Sequence, residues 1–259
     1  MKGNKKVDHL TYHIYGDRDL LGYEAAKSVA VRLRELLEVQ ATVNMVFGAA
    51  PSQNEFLASL RRVNQIDWGR IRAFHMDEYV GLDQDAPQLF GNFLKVRLFD
   101  RLPFKSVFYL DGNADDLEAE CRRYSELLNS YPLDIACLGI GENAHIAFND
   151  PHVADFNDSE SVKIVNLDRV CRQQQVNDKC FISYDQVPLR AVTLTIPALL
   201  GAKYVFCVVP GKTKATAVRH TLRGRISETY PSTILRRHPE AVLFLDKGSA
   251  GRLLTSKHH

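Results

Sequence analysis

The sequence predicts an α/β fold built on a mostly parallel sheet with helices on both faces. Two observations carry this expectation. Short β-branched, apolar runs alternate along the chain with longer segments of helical period, which implies parallel strands joined by right-handed crossovers. No repeat, low-complexity tract or linker-like shift in composition interrupts the pattern, so a single domain over residues 1–259 is expected. A chain of that length, 45% hydrophobic and 25% charged, can bury a sizeable core.

The strand candidates, in order, are Leu10–Tyr15, Ala41–Phe47, Ile71–His75, Ser106–Leu110, Asp134–Leu138, Ser161–Asn166, Tyr204–Val209 and Ala241–Leu245. Between the first two, Leu21, Ala25, Val29 and Leu36 recur at helical spacing. Further helices fit Ser52–Val63, Gln88–Asp100, Asp115–Asn129 and Lys212–Leu222. Ser52 and Glu55 have the spacing of a capping box, which marks a helix start just after a strand and a tight loop.

The formal charge of +2 gives no electrostatic footprint for nucleic acid or an anionic membrane surface. No apolar run approaches the roughly 18 to 20 residues that span a bilayer, and the basic start MKGNKK has no apolar stretch behind it. Five cysteines without a C-x-x-C pair fit a reducing, cytoplasmic setting. A homo-oligomer is compatible with all of this.

Ligands of open parallel sheets bind beyond the carboxyl ends of the strands. Four strand ends here carry unusual chemistry: Gly48-Ala49-Ala50-Pro51-Ser52-Gln53, Met76-Asp77-Glu78-Tyr79, Gly139-Ile140-Gly141-Glu142-Asn143-Ala144-His145, and Pro210-Gly211-Lys212-Thr213-Lys214. The fold logic brings all four together. Small residues before a helix suit an anion, although a plain tight turn looks the same. Asp77 is either a turn cap or a general base, and His145 with Asp150 five residues on is either structural or an oriented proton shuttle. Neither His75 nor His145 has a companion at metal-ligand spacing, so no metal is expected, and nothing calls for another cofactor.

Taken together, the segments resemble the glucosamine-6-phosphate deaminase/isomerase family. Met76-Asp77-Glu78-Tyr79-Val80-Gly81 is similar to that family's M-D-E-Y-V-G, and Gly139 to Pro151 to its G-x-G-x-[DN]-G-H-I-[AG]-F-N-E-P. Ala191–Ile196, Val209–Ala215 and His238-Pro239-Glu240-Ala241 follow with the family's order and spacing. The resemblance implies a modified Rossmann-type fold and an aldose–ketose isomerisation coupled to loss of ammonia from an amino sugar phosphate, with no metal or nucleotide. It implies Asp77 as the base that moves a proton between C2 and C1, and His145, oriented by Asp150 and accompanied by Asn143, as the ring-opening shuttle. Gly48, Ala49, Ala50, Ser52, Gln53, Glu78, Arg172 and Lys214 are the implied substrate-binding residues.

Several positions depart from the family pattern. The phosphate loop reads Phe47-Gly48-Ala49-Ala50-Pro51 in place of T-G-G-T-P, so two hydroxyl donors are missing. Ala144 stands for a glycine, with a backbone shift expected if that residue needs a positive φ. Asp150 is one methylene shorter than the usual glutamate, so a different reach to His145 is expected. Two other readings share the fold: a 6-phosphogluconolactonase-like hydrolase, which the intact Met76–Tyr79 motif disfavours, and a non-catalytic sugar-phosphate sensor.

Overall fold

The computed structural model describes residues 5–254. An eight-stranded sheet is formed by β1 (Lys5–Val7), β2 (Leu10–Tyr15), β3 (Val43–Phe47), β4 (Ile71–His75), β6 (Ser106–Phe108), β7 (Ile135–Leu138), β10 (Tyr204–Val209) and β11 (Ala241–Asp246). Between β4 and β6 the chain forms β5 (Asp77–Tyr79), and between β7 and β10 it forms β8 (Val162–Asn166) and β9 (Arg190–Leu194). The helices are α1 (Arg18–Val39), α2 (Asn54–Leu60), α3 (Phe90–Arg97), α4 (Leu117–Ser130), α5 (Arg169–Asn177), α6 (Ile196–Leu200), α7 (Ala215–Arg223) and α8 (Gly251–Leu254).

The large sheet has the order β1-β2-β11-β10-β7-β3-β4-β6, and every neighbouring pair is parallel except β1 with β2. The expected parallel sheet is therefore present, with one short antiparallel edge strand that the sequence pattern did not reveal. From β3 the chain winds outward through β4 to β6, then returns to the other side of β3 as β7 and winds the opposite way through β10 to β11. That reversal between β3 and β7 is a topological switch point, where a crevice opens outside the carboxyl ends of the strands.

Strand periodicity divides the core into two halves. Val46, Phe74, Ala136, Leu138, Val205 and Cys207 face one apolar cluster. Met45, Phe47, Ala73, Ile135, Cys137 and Phe206 face the other. Because both faces are covered, these strands read as continuous apolar runs. On one face α1 packs on α2 so closely that a Cβ at Gly22 would lie 2.6 Å from the Glu55 carbonyl carbon.

A second sheet of three antiparallel strands, β5-β9-β8, stands apart from the first. Ser161–Asn166 was expected among the parallel strands, but its β-structure, Val162–Asn166, belongs to this small sheet. Composition marks a strand without naming its partner, and here the partner β9 runs the other way. β5 follows β4 with Met76 alone between them, so one extended stretch leaves the large sheet and enters the small one. The expected Ser52–Glu55 capping box also fails. A 3₁₀ turn over Pro51–Gln53 precedes α2, whose N-cap Gln53 makes no side-chain cap bond, and Glu55 instead pairs with Arg18 at 2.9 Å.

Candidate active site

At the switch point a cleft is lined by Gly48, Ala49, Ala50, Ser52, Gln53, Asp77, His145 and Lys214, among others. These come from all four strand ends singled out in the sequence. The loops after β3, β7 and β10 are tied together directly. Gly48 N–H donates to the Cys137 carbonyl at 2.9 Å, and Gln53 Nε2 donates to the Val208 carbonyl at 3.1 Å. A Cβ at Gly139 would stand 3.0 Å from Gln53 Nε2 and crowd that amide.

Asp77 begins β5, paired in register with Thr193 of β9, and is 6% exposed. Among the described residues no donor reaches its carboxylate. Burial first, and the neighbouring Glu78 charge second, hold its pKa well above the usual carboxylate range. A buried, unpartnered carboxylate that lines a cleft is a strong base once ionised.

His145 lies on the loop after β7, which folds back on itself. Gly141 N–H donates to the His145 carbonyl at 2.9 Å, and His145 N–H donates to Asn143 Oδ1 at 3.1 Å. The imidazole rests over Gly141, where any Cβ would collide with the ring. Behind it, Nδ1 is 2.9 Å from Oδ1 of the fully buried Asp150. The pair is close but poorly aligned, since Nδ1 makes no hydrogen bond of good geometry. The shorter aspartate therefore reaches the ring, at a skewed angle. Asn143 Nδ2 donates to the same Asp150 oxygen at 2.9 Å, so Asn143 touches both the His145 backbone and the carboxylate behind it. Burial alone would raise the Asp150 pKa, but His145, Asn143 and the Asp168 N–H outweigh it and hold the group below its ordinary value.

Ala144 keeps a positive φ of 71°. The alanine here adopts the left-handed conformation that glycine favours.

Two expected binding residues stand elsewhere. The Glu78 carboxylate accepts N–H bonds from Tyr79, Phe90 and Gly91 at 2.8–2.9 Å, so it caps the start of α3. Its side chain leaves β5 on the face opposite Asp77, because successive strand residues alternate. Arg172 is buried, donates to the carbonyls of Tyr184 and Val187, and stacks on the Tyr184 ring at 4.0 Å. It is not among the residues lining the cleft. Its place is taken by Gln174, Gln175 and Asp178 of α5 and the turn after it, none of which sequence reasoning had put in the site. The signal was present: Asp168 before Arg169-Val170-Cys171 is a helix N-cap, and its carboxylate does accept from Cys171 N–H.

Lys214 is 4% exposed and forms no ion pair among the described residues. Burial pulls its pKa down, and Asp178 and Glu142 act in the opposite direction. Two groups of side chains approach metal-ligand spacing, His145 with Asp150 and Cys171, and Asp150 with His152 and Asp168. Both depend on Asp150, whose oxygens already face His145, Asn143 and the Asp168 N–H. Among the described residues no helix is long and apolar enough to cross a membrane.

A buried carboxylate, an imidazole backed by a second carboxylate and a buried lysine meet around one switch-point crevice, an arrangement suited to acid–base chemistry on a small polar substrate. Residues 16–244 match the family model described as glucosamine-6-phosphate isomerases/6-phosphogluconolactonase, and the chain belongs to that family. Glucosamine-6-phosphate deaminase of Bacillus cereus (strain B4264) is 37% identical over 226 residues, 87% of this chain and 81% of the relative. A solved structure described as a monomeric glucosamine-6-phosphate deaminase is 32% identical with a TM-score of 0.83, covering 93% of this chain and 98% of that one. The 6-phosphogluconolactonase of Thermotoga maritima, at 24% identity and a TM-score of 0.72, shares the fold.

Proposed function

We propose that the chain converts an amino sugar phosphate, with glucosamine 6-phosphate as the reference substrate, into the ketose phosphate and ammonia. The single observation that carries this reading is Asp77, a buried carboxylate that lines the cleft and has no donor among the described residues. Abstraction of a proton from carbon needs such a group.

In this reading His145 takes the proton from the anomeric hydroxyl and returns one to the ring oxygen, which opens the sugar. Asp150 sets the tautomer by facing Nδ1, and Asn143 holds Asp150 in place. Asp77 then removes the C2 proton as the C1 carbonyl oxygen gains one, giving an enol-type intermediate. The same carboxyl returns its proton to C1, C2 becomes an imine, and addition of water there releases ammonia. Lys214 supplies the cation for the phosphate, and backbone N–H groups of the Gly48–Gln53 loop assist.

The test is incubation with glucosamine 6-phosphate in D2O, with assays for ammonia and fructose 6-phosphate and for deuterium at C1. Product from the wild type and none from Asp77→Asn is the expected result. An Asp77→Asn variant as active as the wild type removes Asp77 from the reaction.

A further inference from the structure

Behind the cleft, three buried side chains bring a nitrogen, an oxygen and a sulfur close together. His145, Asp150 and Cys171 offer ligand atoms that all lie within 4.8 Å of one another. Asp150 and Cys171 are fully buried, and His145 is 8% exposed. The histidine and the aspartate follow β7, whereas the cysteine comes from the first turn of α5, so spacing along the chain does not announce the group. His145 Nδ1 is buried and makes no hydrogen bond of good geometry, although Asp150 Oδ1 is 2.9 Å away. The grouping of Asp150 with His152 and Asp168 is less suited to an ion. His152 is exposed and bonded to the Asn166 carbonyl, and Asp168 caps α5.

Imidazole, carboxylate and thiolate are ligands of zinc-class ions, which accept three protein donors and a water in a tetrahedral site. Magnesium and calcium prefer oxygen alone. Asp150 and a Cys171 thiolate together carry two negative charges, which neutralise a divalent cation where burial otherwise opposes it. Burial first, and then the Asp150 and Asp168 charges, raise the Cys171 pKa and keep the free thiol protonated. The ion therefore replaces the S–H proton, which passes to solvent. At the ring the ion takes the Nδ1 lone pair, and the ring proton sits on Nε2. An imidazole in that tautomer has no lone pair left to accept a proton from the anomeric hydroxyl.

We infer that His145, Asp150 and Cys171 form a binding site for a zinc-class divalent cation, which inhibits the enzyme by locking the His145 ring in the wrong tautomer. The binding stands on the geometry alone, and the inhibition rests on the proposed role of His145.

The test uses the full chain, with Co2+ as a spectroscopic probe and Zn2+ as the inhibitor. Co2+ is expected to give a thiolate-to-metal charge-transfer band in the near ultraviolet, displaced by Zn2+ and not by Mg2+. Cys171→Ser is expected to lose the band and to weaken binding by about a hundredfold or more, at least the loss caused by removing an outer-shell partner. His145→Gln removes a second ligand and is expected to weaken Co2+ by the same factor, with circular dichroism confirming that both variants fold. Cys180→Ser, at a partly exposed free thiol, is expected to keep the band. A wild type without the band, or a band that survives Cys171→Ser, overturns the site. Zn2+ is expected to suppress ammonia release from glucosamine 6-phosphate in step with occupancy, reversibly with a chelator, and Cys171→Ser to need about a hundredfold more. Zn2+ bound at the site with ammonia release unchanged overturns the inhibition. No ammonia from the metal-free wild type sinks the deaminase reading, and the cobalt band then decides the site by itself.

Discussion

The molecule places the same two residue types, an acid and a histidine, on both sides of one strand connection, and uses them in opposite ways. Asp77 and His145 line the cleft. Glu78 and His75, each a chain neighbour or near neighbour of Asp77, are turned inward onto backbone N–H donors, although His75 Nδ1 has no partner among the described residues. Glu78 accepts three backbone N–H bonds at the start of α3, and His75 Nε2 accepts from Leu110 N–H at 2.7 Å. All four are less than 9% exposed, so burial does not distinguish them. The difference lies in partners. The interior pair is held by backbone N–H groups through the Glu78 carboxylate and His75 Nε2, while among the described residues no donor reaches the Asp77 carboxylate. Asp77 also opens on the cleft, so its carboxylate is available to a ligand.

The largest expected effect is at Asp77. Replacing it by Asn is expected to reduce kcat by about 10⁴-fold or more, the upper range for a general base, with the melting temperature unchanged or raised. The rise follows from removing a carboxylate whose ionisation is opposed by burial and by Glu78. Turnover also has a predicted pH dependence. Asp77 must be ionised to act, so kcat/KM falls as the pH drops through its raised pKa, an acid limb well above the usual carboxylate range. An acid limb within the ordinary carboxylate range would assign the base to another group.

Next is the histidine of the cleft. Gly141→Ala puts a methyl group where the His145 imidazole lies. Activity is expected to fall by about 10²-fold, the lower range for a displaced acid–base group, while Asp77 and its pH limb stay as they are. A Gly141→Ala enzyme of normal activity would mean that the ring does not work from this position.

The parallel sheet and the meeting of four loops were legible in the sequence because apolar runs and helical periods are local signals. The small sheet was not. Asp77–Tyr79 is three residues long and directly continues β4, so no turn announces a change of sheet. The roles of Glu78 and Arg172 were illegible for a related reason. Motif spacing names the residue type that chemistry needs, but the face of a strand or helix on which it emerges depends on where the element begins. α5 begins at Arg169, with Arg172 directed to the Tyr184–Val187 turn and Gln174 and Gln175 among the cleft residues. The polar run Arg-Gln-Gln-Gln has no apolar stripe to declare the helix.

The interior pair gives a smaller, stability-only prediction with opposite signs. Burial first raises the Glu78 pKa from 4.5 to about 7 despite its three N–H donors. Its contribution to stability is therefore complete below pH 4.5 and is lost as the pH rises through about 7. Burial lowers the His75 pKa from 6.5 to about 4, so its contribution is complete above pH 6.5 and is lost on acidification through about 4. Glu78→Gln deletes the first dependence and keeps the second. Relative to the wild type, the variant is expected to be least stable near pH 4.5 and to recover as the pH rises toward 7, in thermal melts across that window. It also places an amide N–H against Gly91 N–H, so its melting temperature stays below that of the wild type, while kcat remains within about tenfold. A Glu78→Gln variant as inactive as Asp77→Asn would erase the distinction between the two faces of β5.

The smallest effect is expected at Ala144, where three contributions nearly cancel. A left-handed alanine at φ 71° carries about 1 kcal/mol of strain that glycine relieves. The same change removes a fully buried methyl group, worth about 0.8 kcal/mol, and adds chain entropy to the unfolded state. Ala144→Gly is therefore expected to fall within about 0.5 kcal/mol of the wild type by denaturant titration, with activity unchanged because glycine adopts the same positive φ readily. A gain of about 2 kcal/mol would show that the loop carrying His145 is strained well beyond this one residue. The cleft-side histidine would then be held in a tense loop, in contrast to His75, which ends a regular strand and accepts a backbone N–H at Nε2.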